Sequence, residues 1–483
     1  MKTQMIFKTL FLLFCLLGIG WTMLSSAQAA NLRIDLACGP NGVGDPAALR
    51  KAINTANLPG VTAEIQLSPG CIYRLDSQFI NTPADGSTIL PYIVRSMTLI
   101  GNGATLQRPP AAPPYRILLI QPGVAVTITN VTFENGLEHA SGHGGAIRLN
   151  DASLTLENVT FKNNVAGIHG GAIYAAPGRL TVNGGLFENN QVDQGSGGAI
   201  TVVGAAAISN ASFINNRAAS GGALSLSGEV TVDHNEFRRN KALVSNGGAV
   251  RIDILTQDAF LTRNKFFENQ AFNAGGGAYI EDPRPNRLPA VGHVHIYNNL
   301  WVNQSAPDTT HLYVRVVGNV IGLREKSFSL HYNTFVGSQS PAGNSTGVTL
   351  REDKSDQATA LPAFIFNNIF VGHDVALKNT GNLQLALKTN LFFNNRVNFQ
   401  GNFADPLSFI ADPLFVSPAT GDLHLLPGSP AIDKATDKGI GEDLDGRARP
   451  QGNGFDIGAY EFTTRNPQEG PNGFTVFLPV VVK

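Results

Sequence analysis

A Gly-Gly-Ala triplet returns at Gly144, Gly170, Gly197, Gly221, Gly247 and Gly276, at intervals of 26, 27, 24, 26 and 29 residues. A second mark lies between these, an aromatic residue followed closely by Asn, at Phe133, Phe161, Phe187, Phe213, Phe237, Phe267 and Trp301. Seven and five positions before the aromatic stand apolar pairs: Val126 and Ile128, Leu154 and Leu156, Leu180 and Val182, Val230 and Val232, Val294 and Ile296. Asn130, Asn158, Asn210, Asn264, Asn298, Asn367 and Asn390 recur about three positions before it, with Gly184 and His234 as exceptions.

Apolar residues two apart line one face of a strand. A unit of about two dozen residues cannot bury such a face alone and gains a core only by stacking on its neighbours. Equivalent positions then lie ~4.8 Å apart, so Phe sits on Phe and Asn amides bond along a column. Helical or leucine-rich solenoids need helix-period stretches that this sequence lacks. The prediction is an all-β chain, a single right-handed parallel β-helix of about a dozen coils with a helix capping its N-terminal end. That cap is read from Asp45-Pro46, an N-cap acid before Pro at the first helical position, followed by Leu49, Ala52, Ile53 and Ala56 on one face.

Composition agrees. Charged residues make up 15% of 483, and Gly is abundant at 52, as tight turns between doubly covered strands require. A net charge of −1 leaves no basic footprint, so no nucleic-acid partner is expected. Residues 1–29 read as an export signal, with Lys2 and Lys8, an apolar run over 9–24 and Ala27-Gln28-Ala29 as a cleavage site. The run is short of the ~20 residues of a permanent span, so no membrane span is expected after cleavage. The expected location is secreted or cell-surface, and the expected state a monomer. Cys38 and Cys71 then remain, as a disulfide or as two buried thiols. The domain reading is signal 1–29, cap and first coils 30–123, repeats 124–401, a C-terminal region 402–462, and a linker with an apolar tail 463–483. The tail suits either a sorting signal or a final edge strand.

Three stretches resemble known families of secreted β-helix proteins. Ala48-Leu49-Arg50-Lys51-Ala52-Ile53 with Ala56-Asn57 and residues 65–75 resembles the CSLREA-type N-terminal region, with its Cys displaced to Cys38. The Gly-Gly-Ala-Ile and Phe-x-x-Asn pairs over 133–270 resemble the repeats of chlamydial polymorphic outer membrane proteins, which implies an adhesin-like surface role. The membrane barrel that ends those proteins has no counterpart of sufficient length or alternation here. Residues 390–395, 412–415, 422–433, 443–450 and 456–462 resemble the choice-of-anchor Q region of exported proteins. These resemblances imply fold and export, not a reaction.

Chemistry is sought where side chains point outward. After the Gly-Gly-Ala strand these are Arg148, Tyr174, Thr201, Ser225 and Arg251, and two positions on, Asn150, Ala176, Val203, Ser227, Asp253 and Asp282. Arg148, Tyr174, Arg251 and Glu281 are candidates for polysaccharide binding, against the plainer reading of a solvated sheet face. Asp253 and Asp282 hold the same position in consecutive coils by the Gly-Gly-Ala count. Such a pair needs compensation by calcium, with Glu281 as a further ligand, or by Arg251 and Arg284. Arg284 and Arg287, with Gly292-His293-Val294-His295, resemble part of a pectate lyase segment, which implies an Arg base beside a calcium-bound uronate. If the protein is an enzyme, a polysaccharide lyase or glycoside hydrolase, Asp253, Asp282, Arg284 and Arg287 are its catalytic candidates. Gly142-His143-Gly144 echoes a polygalacturonase triplet without the acids, and Asp443-Leu444-Asp445-Gly446 is a calcium-loop fragment better read as a turn. No cofactor beyond calcium is implied. The leading expectation is a non-catalytic β-helix that binds a polysaccharide or cell-surface glycan; the alternatives are that enzyme or an inert spacer.

Overall fold

The computed structural model describes residues 30–463 except 77–85, 140–141, 254–256, 282–291, 318, 321–326, 338–344, 354–357, 360–361, 382 and 402–406. The expected signal at 1–29, the apolar tail, and Asp282, Arg284 and Arg287 lie outside those residues.

The chain winds into a right-handed parallel β-helix. Thirteen parallel strands stack in one strip from Ala30–Leu36 to Gln384–Lys388. Two further strips complete each coil. One carries the buried aromatic; the other follows the Gly-Gly-Ala turn, as at Ile147–Leu149 and Val250–Asp253. The helix Pro46–Ala56 covers the first coil with Leu49, Ala52, Ile53 and Ala56 buried, and the Asp45 side chain accepts from the Ala47 N–H at 2.8 Å. Cys38 and Cys71 form a disulfide in this cap.

The aromatics form a single file. Phe133, Phe161, Phe187, Phe213, Phe237 and Phe266 are fully buried, with successive centroids 4.7–5.1 Å apart and planes within 9–12°. Trp301, Phe335, Phe370 and Phe392 continue it. Each buried ring contributes ~1.5–3 kcal/mol by burial alone. The aromatic in the sixth of these coils is Phe266, not Phe267: Phe266 pairs with Phe237 and Trp301, while Phe267 lies half-buried on the outer side with Arg238 over its ring at 4.4 Å. Two adjacent Phe residues offer two registers, and only one keeps the alternation inside.

Two amide ladders replace the one column expected. The asparagine three after the aromatic, that of Phe-x-x-Asn, gives Asn164, Asn190, Asn216, Asn240, Asn269 and Gln304. Each of the first five donates its side-chain amide to the carboxamide oxygen of the next coil at 2.9–3.0 Å. A second ladder, Asn235, Asn264, Asn299, Asn333, Asn368 and Asn390, stands two before the aromatic. The position three before it turns the backbone instead: Asn130, Asn158, Asn210, Asn298 and Asn367 have φ of 51–61°, as do His234, Arg263 and Tyr332. Asn tolerates that left-handed geometry, which explains its frequency there. Asn264 and Asn390 therefore belong to the neighbouring ladder.

The segment 409–462 packs on the outer side of the aromatic strip, against Leu300, Val302, Ile369 and Leu391. Buried polar groups tie it together. Arg449 pairs with Glu461, both with fully buried side chains, and donates to Asn298 at 3.1 Å. Asp443 accepts from the N–H groups of Asp445, Arg447 and Glu461, so the calcium-loop-like fragment is a structural turn.

Candidate functional site

The face that follows the Gly-Gly-Ala turn orders its outward side chains coil by coil. Arg148, Tyr174, Thr201, Ser225 and Arg251 are in register as expected, and the column continues through Tyr279, Tyr313, Thr349 and Lys378. Two residues on, Val203, Ser227 and Asp253 align with Glu281, then Arg315 and Arg351.

Asp282 is therefore not the partner of Asp253; Glu281 is. The Gly-Gly-Ala count slips by one because this coil opens with three glycines. Gly275 (φ 64°) occupies the turn position that Gly247 (φ 71°) holds one coil earlier. Gly277 takes the place of Ala249, where a Cβ would lie 2.8 Å from the Trp301 ring. The larger Trp in the aromatic file thus selects Gly at that position.

Asp253 and Glu281 sit in a chain of alternating charge. Arg251 donates to Asp253 at 3.0 Å and reaches Glu281 at 3.4 Å; Arg315 bridges Glu281 at 2.5 Å and Asp353; Arg351 donates to Asp353 at 2.8 Å. Of the compensating arginines expected, Arg251 is in place, and Arg315 supplies the second guanidinium. Burial raises the Asp253 carboxyl while Arg251 opposes it. At Asp353 burial pulls upward too, but the Arg351 and Arg315 guanidiniums win and hold it below the usual range. Tyr279 and Tyr313 stack beside this chain at 5.1 Å, both buried, and burial next to Glu281 pushes the Tyr279 phenol up to about 12. Among the described residues no three His, Cys, Asp or Glu side chains converge as a metal site. Asp353, held low by two arginines, accepts hydrogen bonds but is poorly placed to exchange a proton near neutrality.

Arg148 and Tyr174 belong to a separate cluster, four and three coils away from Arg251. Arg148 donates to Asn150 at 2.9 Å, and the half-buried Tyr174 ring stacks on His143 at 4.4 Å and faces His169 at 6.0 Å. Burial, with His169 nearby, lowers His143 to about 4, so it is neutral at physiological pH. His293 and His295 are 6.1 Å apart; the first bonds to Ser327 at 2.8 Å and the second stacks on Phe260.

Sequence reasoning missed Tyr279, Tyr313, Arg315, Arg351 and Asp353. Their coils span 34–36 residues in places and replace the glycine mark by Thr309-Thr310-His311. The signal available was alternation: Ala278-Tyr279-Ile280-Glu281, Leu312-Tyr313-Val314-Arg315 and Val348-Thr349-Leu350-Arg351 repeat one inward–outward pattern.

Residues 116–300 match a family profile described as a right-handed β-helix region. No curated protein matches the chain. Among solved structures, the A-module of the mannuronan C-5 epimerase AlgE4 of Azotobacter vinelandii is similar at 13% identity, covering 78% of this chain and 98% of that module, with a TM-score of 0.33. A superposition this loose carries nothing about reaction or ligand. No helix among the described residues is long and apolar enough to cross a membrane.

Proposed function

We propose that the protein is an exported or cell-surface β-helix that binds an acidic polysaccharide along its outward arginine-bearing face without turning it over. The observation that carries this reading is the charge chain Arg251–Asp253–Glu281–Arg315–Asp353–Arg351. Its acids are bound by arginines, and its guanidiniums stay partly open, Arg315 with 38% and Arg351 with 48% of the side chain exposed. Arginine forks match carboxylates in pairs, and outward groups one coil apart present them at a regular spacing to a linear polymer. The disulfide fits an oxidising compartment. Residues 1–29 serve as the export signal in this reading, and the choice-of-anchor Q-like stretches as the closing region of an exported chain.

The test is affinity electrophoresis in gels containing polygalacturonate or alginate, run beside an ultraviolet assay for unsaturated product, with calcium and with chelator. Retardation without product is expected, and an Arg251→Ala/Arg315→Ala variant should migrate freely. Product formation would make the protein a lyase, with Arg284 and Arg287 the first residues to replace. Free migration of the wild type in every acidic gel would end the proposal.

A further inference from the structure

A second site lies on a different face, between the solenoid and the C-terminal segment. The outward column of the thirteen-strand strip is Thr127, Thr155, Thr181, Ala207 and Thr231, then turns aromatic at Phe260 and His295. Threonine is an ordinary choice for a solvated strand face; half-exposed aromatic rings are not needed there for the core. Phe260 and His295 stack at 4.7 Å, 12° from parallel. Phe260 forms part of the wall of a cleft of about 590 Å³, within the ~300–1,000 Å³ usual for small ligands. Residues 439–442 form the opposite wall.

The charged groups of the cleft are fixed. Arg263 donates to Asp233 at 2.6 and 2.9 Å and to Glu442 at 2.8 Å. Thr262 donates to Asp233 at 2.7 Å, and Asn298 to the Glu442 carbonyl at 2.6 Å. Two carboxylates face one guanidinium here, whereas in the charge chain three guanidiniums balance three acids. A phosphate or a uronate would meet excess negative charge. The surplus is of acceptors, beside an aromatic ring. A ligand that donates several hydrogen bonds and has one flat apolar face meets both conditions.

The geometry points to this cleft as a binding site for a neutral pyranose unit, stacked on the face of Phe260 turned away from His295, with its hydroxyls donating to Asp233 and Glu442. It stands on other residues than the acidic-polysaccharide face and does not depend on that reading. Titration calorimetry with cello-, laminari-, manno- and chitohexaose, beside a polygalacturonate hexamer, tests it. At least one neutral hexasaccharide should bind. Phe260→Ala should weaken it about ten-fold or more, Phe260→Trp should retain it, and Arg251→Ala/Arg315→Ala should leave it unchanged. Glu442→Ala, on an exposed loop that the solenoid does not need for its core, should also weaken it, which keeps the test decisive if Phe260→Ala misfolds. No binding by any neutral sugar, or equal binding by the Phe260→Ala and Glu442→Ala variants, would overturn the assignment.

Discussion

The coils around Phe133–Phe237 and those around Trp301–Phe370 use the same three strips but treat buried polarity differently. In the first group the ladder amides have copies of themselves above and below: Asn190 receives from Asn164 and donates to Asn216. In the second group the interior also holds His311 and His373, rings 5.0 Å apart and almost wholly buried. Neither nitrogen of His311 has a hydrogen-bond partner among the described residues, nor has Nε2 of His373. The amide ladders of both groups satisfy polarity by repetition, whereas His311 and His373 carry it at a cost. The outward charge chain belongs to that second region and its boundary.

The largest effect should come from attacking repetition itself. Phe161→Asp places a carboxylate between two stacked rings with no cation in reach and should unfold several coils, seen as loss of a cooperative transition in urea and early proteolysis near residue 161. The second effect reads the buried histidine pair of the second region through pH. Burial lowers His311 well below its ordinary value, and burial lowers His373 to about 4, although Asn395 and Asp374 pull that ring upward. A folded pKa below the unfolded one means that stability is fully present above about pH 6.5 and falls as pH drops toward 4, by about 1.4 kcal/mol per unit for each such histidine. Chemical denaturation between pH 7 and 4 should show this slope, and His311→Phe should flatten part of it. An unchanged slope in that variant would place the acid sensitivity elsewhere. A smaller effect tests one rung: Asn216→Ala removes the donor to Asn240 and to the Phe187 carbonyl and should cost about 1–3 kcal/mol. Lys162→Ala, at a half-exposed pair 3.3 Å from Glu188, should shift the midpoint hardly at all.

The fold was legible because Phe161, Phe187 and Phe213 recur at near-constant spacing, and a parallel stack turns spacing directly into contact. It became illegible where spacing admits two answers. Phe266-Phe267 and Gly275-Gly276-Gly277 each permit a one-residue slip, and in a strand one residue exchanges inside for outside. That slip put Asp282 where Glu281 stands. The cap helix could be read from Asp45-Pro46 because capping is local chemistry. Arg315 and Asp353 could not be joined to Arg251 from sequence, since their proximity depends on how many residues the intervening loops consume.

The amide ladders have a consequence for where such loops can grow. Their rungs are separated by 26, 26, 24, 29 and 35 residues along the first ladder and by 29, 35, 34, 35 and 22 along the second. Every rung nevertheless meets its neighbour, so insertions are absorbed elsewhere on the circumference. One place is the stretch from the end of the charge-bearing strand to the next coil, which takes six residues from Asp253 to Ala259 and thirteen from Glu281 to Val294. Two corners of the coil act as a fixed spine, and the rim beside the charged face is free to vary in length without rephasing the interior. A lineage carrying this scaffold can thus reshape what borders its charged face while the stacked geometry stays untouched.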